Sequence, residues 1–256
     1  MKSIRSFWYQ IKLELKSAMR YKFAFFSDIA VFSVILIFFF LSSTGSSFSD
    51  KYSGADSKEL LLEGYIMWTF ASAAISTMAT GLNTEARNGT LPMFLHSKTP
   101  VEILLFAKLI SSQIVQIVII LVLSIISRLL FHVQMSFNSK MIIPFLINLV
   151  GMYGIGMILC GVSLFFKKTG ALTLLVQLVT LFVTDTLPSS DAILKITRYI
   201  PLTISNEISR LIISSKSYYS TAFTGIIVSV IWVVVGIITF RIFYEKSKIK
   251  GNLLFY

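Results

Sequence analysis

Six apolar blocks, at about 24–42, 61–83, 101–127, 141–166, 169–187 and 221–243, limit what this chain can fold into. A helix needs roughly 17 to 25 residues to cross a hydrocarbon core about 30 Å thick, and the blocks are of that order. Lipid offers no water to a bare N–H or C=O, so a block of this length must satisfy its backbone internally, as a helix does. The third and fourth blocks are long enough to tilt or to project beyond the bilayer. The chain is 55% hydrophobic and 14% charged, where a soluble domain carries roughly 25% charged residues. Its mean hydropathy is +0.79. The expectation is an all-α integral membrane domain over 1–256, with six transmembrane helices.

Basic residues orient it. With the N-terminus inside, pieces 1–23, 84–108, 167–168 and 241–256 hold fifteen Lys and Arg against eight outside. Positive residues favour the cytoplasmic side, so both termini are expected in the cytoplasm of a cell-membrane protein. The net charge of +11 is thereby explained by topology, and no nucleic-acid partner is expected. The first 22 residues show neither an apolar core nor a cleavage site of a signal peptide. Cys160 is the single cysteine, so neither a disulfide framework nor a cysteine metal site is expected.

Before the first span, Ile4, Phe7, Trp8, Ile11, Leu15, Ala18 and Met19 recur at helical spacing, with Arg5, Lys12, Lys16 and Arg20 on one flank. An apolar face with a basic flank predicts an interfacial helix over 1–23 that meets lipid headgroups. In the second block, Ser72, Ser76 and Thr80 form one row and Ala73, Thr77 and Gly81 the next. Small and hydroxyl residues on one helix face permit close packing, and equally suit a subunit interface or a slightly polar path. Gly151, Gly154, Gly156 and Gly161 in the fourth block read as packing positions. Between the last two blocks, 188–219 is too apolar for a plain connector. A short helix over 192–200, cut by Pro201, and a second carrying Ile204, Ile208, Leu211 and Ile212 are expected on or within the outer leaflet. A tail follows at 244–256.

No phosphate loop, serine elbow or zinc-binding HExxH occurs, so no catalytic or metal residues are nominated and the chain is not expected to be an enzyme. Asp28 and Asp185 fall near opposite ends of their blocks and cannot form a catalytic dyad. Mid-block charges of the kind an ion-coupled carrier uses are scarce; Gln113, Gln116 and Gln177 are the strongest polar side chains there. Residues 84–100 form a mixed loop, bounded by Gly89 and Pro100, that suits a brief helix across the cytoplasmic mouth.

This loop resembles that of the permease subunits of type 2 ABC transporters, an exporter family. Glu85, Gly89, Thr90, Leu91, Glu102 and Lys108 follow the family's order, and Pro201-Leu202-Thr203 with Glu207 and Arg210 matches a second motif. Two departures stand out: Pro92 occupies the usual Glu position, and Thr99-Pro100 sits about two residues late. The resemblance implies that 84–100 is a coupling loop, with Glu85, Arg87, Asn88, Gly89, Thr90, Leu91 and Phe94 contacting an ABC-type ATPase. It implies two such ATPase subunits and a second permease chain, identical or related. ATP and Mg would be bound by the ATPase subunits, with no cofactor in this chain. It also makes the basic helix an elbow, and nominates Ser72, Ser76, Thr80, Thr173, Gln177 and Thr180 on a path between the second and fifth spans. The path's composition suits a hydrophobic or amphipathic cargo such as a peptide, toxin or drug. A lipid-linked glycan, an ATP-independent channel or ion-coupled carrier, and a non-transporting anchor for an ATPase remain as other readings.

Overall fold

A computed structural model describes residues 2–42, 48, 52, 56–133, 138–167 and 169–249. Lys51, Lys168 and residues 250–256 of the tail lie outside the described residues. The described residues form helices joined by turns and loops, with no strand among them. Among the described residues ten α-helices follow in order: α1 Lys2–Arg20, α2 Lys22–Leu41, α3 Ser57–Arg87, α4 Leu91–Leu95, α5 Val101–Phe131, α6 Ile142–Phe166, α7 Gly170–Val183, α8 Asp191–Thr197, α9 Pro201–Ile213 and α10 Tyr219–Ile249. Four segments are long and apolar enough to cross a bilayer: α2, α5, Ser139–Phe166 containing α6, and α10. The chain is thus an all-α multi-pass membrane protein.

Two of the six apolar blocks are absent from that set, for different reasons. The helix α3 is 31 residues long, but it is rich in Ser, Ala, Thr and Gly. It occupies the centre of the bundle, packed on α6, α5, α9, α7 and α2, with nearly every residue from Leu60 to Met67 buried. A helix walled by protein has no need of a lipid-compatible surface. The helix α7 is only 14 residues long, about 21 Å at 1.5 Å per residue. The apolar block 169–187 therefore outlasts its helix: at Thr184–Leu187 the chain leaves helical geometry and turns inward, all four residues buried. Asp185 takes a left-handed backbone there, φ 57°, which Asp tolerates better than most residues. Irregular backbone at such depth is viable where protein covers it.

Glycines let α6 approach its neighbours. A Cβ on Gly236 would lie 2.2 Å from the Gly154 carbonyl oxygen, and one on Gly154 would lie 2.3 Å from the backbone of Trp232. At that crossing α6 and α10 meet backbone to backbone. Side chains then bond to backbone across helices: Asn148 Nδ2 donates to the Met67 carbonyl at 2.9 Å, Ser229 Oγ to Ile147 at 2.9 Å and the Tyr65 hydroxyl to Phe32 at 2.8 Å. Within a bilayer such bonds contribute about 0.6 to 2 kcal/mol each. The opposite faces of α2 and α10 expose Phe26, Val34, Phe38, Ile231, Val234 and Ile238, the apolar surface that lipid accepts.

Within 188–219, the second expected helix packs into the bundle. Pro201 opens α9 at a position where a missing N–H costs nothing. From there α9 packs against α6, α10 and α3, burying Ile204, Ile208 and Ile212 together with Thr203, Ser205, Asn206 and Ser209. The Ser205 and Ser209 hydroxyls bond back to the Pro201 and Ser205 carbonyls within the helix, each at 2.9 Å, which helps a polar helix enter the core. The helix α1 also differs from a purely lipid-facing element. Ile11 is buried against α5 and Phe7 stacks on Phe106, whereas Ile4, Trp8 and Met19 remain exposed.

Candidate functional site

A cavity of about 600 Å³ lies among α1, α2, α3, α5 and α7. Both small-residue rows of α3 face it: Ser72, Ser76 and Thr80, and beside them Ala73, Thr77 and Gly81. Gln177 of α7 crosses to this wall, its Nε2 donating to the Ser72 carbonyl at 2.9 Å, while Trp68 Nε1 donates to the Gln177 carbonyl at 3.0 Å. Thr173 and Thr180 fall outside the lining; their hydroxyls bond to the Thr169 and Gln177 carbonyls in their own helix. A threonine is too short to reach where Gln177 reaches, even on the same helical face.

Sequence reasoning passed over several wall residues. Asp28, Phe32 and Ile35 of α2 line the cavity, as do Trp68, Gln116 and, at one end, Glu14 and Lys108. The signal for Asp28 was available: it is the single charge inside an otherwise apolar block.

Glu14 and Lys108 join the cavity to a charged knot. Lys108 Nζ lies 2.5 Å from Glu85 Oε1 and 3.0 Å from Glu14 Oε1, tying α5 to the end of α3 and to α1. The other Glu85 oxygen accepts from the Thr90 hydroxyl at 2.5 Å. The end of α3 closes as a two-bond C-cap: Gly89 N donates to the Ala86 carbonyl at 3.1 Å and Thr90 N to Glu85 at 2.9 Å. That turn needs a left-handed residue, and Gly89, at φ 70°, supplies it without strain.

The helix α4 follows at once. Pro92 is its second residue, where no intrahelical donor is lost, so the helix accommodates the proline in its first turn. Leu91 and Phe94 are buried, and Phe94 lies under the Lys108 ammonium at 5.5 Å. The outward side of this tip is left bare: Arg87, Asn88 and Pro92 are exposed, and Met93 is 80% exposed. Beyond it Glu102, in the first turn of α5, accepts from Arg241 Nε of α10 at 2.9 Å, and the Tyr153 hydroxyl donates to the Glu102 carbonyl at 2.8 Å.

The far end of α3 carries a second charged group of a different kind. Arg210, on α9, is fully buried. Its guanidinium pairs with the Asp185 carboxylate and the Asp185 carbonyl and lies 3.9 Å from the Phe48 ring centroid. Gly64 makes room, since a Cβ there would sit 2.9 Å from Arg210 Nη2. Buried Glu63 is its chain neighbour. Pro201 is buried at the start of the same helix, and Glu207 is half-buried. The remaining nominated residues, Arg5, Trp8, Lys12, Lys16 and Arg20, are all exposed on α1.

Gly64 and Glu85 are 21 residues apart on one helix, about 32 Å. The two charged groups therefore stand one hydrocarbon thickness apart. No protein-family model matches the chain, and no curated protein matches it.

Proposed function

We propose that this chain is the membrane-spanning permease subunit of an ATP-driven exporter of the type 2 ABC class. Two copies, or this chain and a related one, surround a shared path, and separately encoded ATPase subunits bind ATP and Mg. In this reading α3 and α7 are the second and fifth of six spans, and both termini are cytoplasmic in the cell membrane. The observation that carries it is the helix α4. It is a short rigid element fastened by Glu85, Gly89, Thr90 and Lys108 to α3, which lines the cavity from Trp68 to Thr84. Its outer side is bare.

Such an element transmits force. A protein pressing on Met93 and Arg87 moves α4, and the knot at Lys108 passes the movement to α3, α5 and α1 together. Ser72, Ser76 and Thr80 ride on α3, so the cavity changes with it. A channel or a carrier driven by ions has no use for a braced, exposed tip of this kind.

The test is co-purification of the detergent-solubilised chain with the products of its neighbouring genes, a phosphate-loop ATPase being expected among them, followed by ATP turnover. The expected result is a stable complex whose stimulated turnover is lost on Met93→Asp or Glu85→Ala. A chain that binds no ATPase, yet conducts ions by itself in liposomes, would overturn the assignment.

A further inference from the structure

From the cavity wall we infer that the transported species is a lipophilic cation, held with its positive centre beside Asp28 and its apolar body along α2. Transport of that species rests on the exporter reading, whereas the binding site itself stands on the cavity alone. Asp28, Val31, Phe32 and Ile35 are spaced i, i+3, i+4 and i+7, so they form one face of α2, and all four line the cavity. The face is bipartite: one carboxylate, then three apolar side chains, with Trp68 meeting Phe32 edge to face at 6.1 Å.

Asp28 has no ion-pair or hydrogen-bond partner among the described residues, and it is exposed to whatever enters. The nearby cation does not serve it. Lys108 already sits between two carboxylates, Glu14 and Glu85, so that group is formally negative as well. The polar wall of the cavity is otherwise neutral Ser, Thr and Gln, and its formal charge is negative. An anionic cargo meets repulsion there, whereas a cation gains a partner in a site of reduced dielectric.

A second feature of the same wall is independent of charge. Gln116 is 4% exposed, lines the cavity, and its Nε2 finds no hydrogen-bond partner among the described residues. A buried polar group of this kind is costly to leave unmade, and a ligand acceptor would satisfy it. Together the features describe an amine-bearing or quaternary amphiphile, with an acceptor group beside its apolar body.

The test compares two probes of nearly equal size and opposite charge, tetraphenylphosphonium and tetraphenylborate, on the full chain in nanodiscs of neutral phospholipid. The unmutated chain is expected to retain the cation and not the anion above empty nanodiscs. Asp28→Asn should weaken the cation by at least about ten-fold, with Asp28→Glu close to the unmutated chain. Equal binding of the two ions to the unmutated chain would overturn the inference without reliance on any variant. So would cation affinity unchanged in a well-folded Asp28→Asn protein. The exporter reading fails separately. Asp28-dependent cation binding in a chain that recruits no ATPase keeps the site and removes the exporter. ATP turnover stimulated by the borate and not by the phosphonium keeps the exporter and removes the site.

Discussion

The two charged groups at the ends of α3 are built from the same side-chain chemistry and are suited to opposite tasks. Around Arg210 the pair is closed off: its side chain is 0% exposed and that of Asp185 5%, with an aromatic ring against the guanidinium. Around Lys108 the cation is equally hidden, at 6%, but its partners Glu85 and Glu14 are 14% and 28% exposed and come from different helices. Removing water from an ion pair makes breaking it expensive, and leaving one edge wet makes exchange of partners affordable. The Arg210 group is therefore a fixed anchor for α9 and the turn after α7. The Lys108 group is a joint. One helix carries a rigid end and a yielding end about 32 Å apart, the arrangement a lever requires.

The largest expected effect tests the anchor. Asp185→Ala leaves the Arg210 guanidinium buried beside a carbonyl and a ring, and loss of one partner from a buried pair costs about 3 to 5 kcal/mol. The thermal midpoint in detergent should fall steeply. Adding Arg210→Met to Asp185→Ala should recover much of that loss, because the unpaired guanidinium is then gone. If the single and double variants melt alike, the group at Arg210 is no anchor and the contrast with Lys108 disappears.

Lys108→Met is expected to cost less, about 1.5 to 3 kcal/mol for its charged hydrogen bonds, and to act locally. Glu14 and Glu85 then face one another without a cation, so α1 should loosen from α5. Limited trypsin cleavage at Arg20 should quicken, with protection around Arg210 unchanged. Uniform loss of protection at both ends would show that the joint and the anchor are one cooperative unit. Smaller again is Gly89→Ala, which forces an L-residue to φ 70° at about 1 to 2 kcal/mol. It should lower ATPase stimulation and move the thermal midpoint by only a few degrees, the cost being confined to φ because a Cβ there meets nothing within 4 Å.

Which of these features the sequence could disclose follows from how far apart their parts lie in the chain. The helices α2, α5, α6 and α10 are legible because lipid imposes length and apolarity locally, residue by residue. The apolar block 169–187 runs past the end of α7, because Leu187 is as apolar as lipid requires, whereas Asn206 and Arg210, some 20 to 25 residues later, bind the Thr184–Thr186 stretch from α9. For the same reason the sequence marked Arg210 as a motif residue of the outer loop but not as a buried one. Its burial depends on Asp185, Gly64 and Phe48, which no local pattern connects. Gly154 was legible as a packing glycine, but Gly236, its partner across the crossing, was not singled out. In the cavity, the i, i+4 rows of α3 disclosed Ser72, Ser76 and Thr80, because a row is a local property. Gln116 was noted for its polarity and not placed in the wall, since that needed the fold. Asp28 was visible as an isolated charge, and what the residues around it could not disclose is that it has no partner among the described residues.

The finest test of the joint concerns a single hydroxyl. Thr90 is the residue after Gly89 and the cap of α4, and its Oγ1 donates to the Glu85 carboxylate that also holds Lys108. Thr90→Val keeps the shape and deletes the donor, for about 1 kcal/mol of stability. Thr90→Ser keeps the donor and deletes a methyl group. If α4 is steered through Glu85, the valine variant should uncouple cargo binding from ATP turnover and the serine variant should not, although both fold and both bind the ATPase. Equal coupling in the two would mean that the C-cap at Gly89 alone positions α4. The Lys108 group would then be a buried ion pair with little influence on the tip, and the difference between the two ends of α3 would reduce to depth of burial.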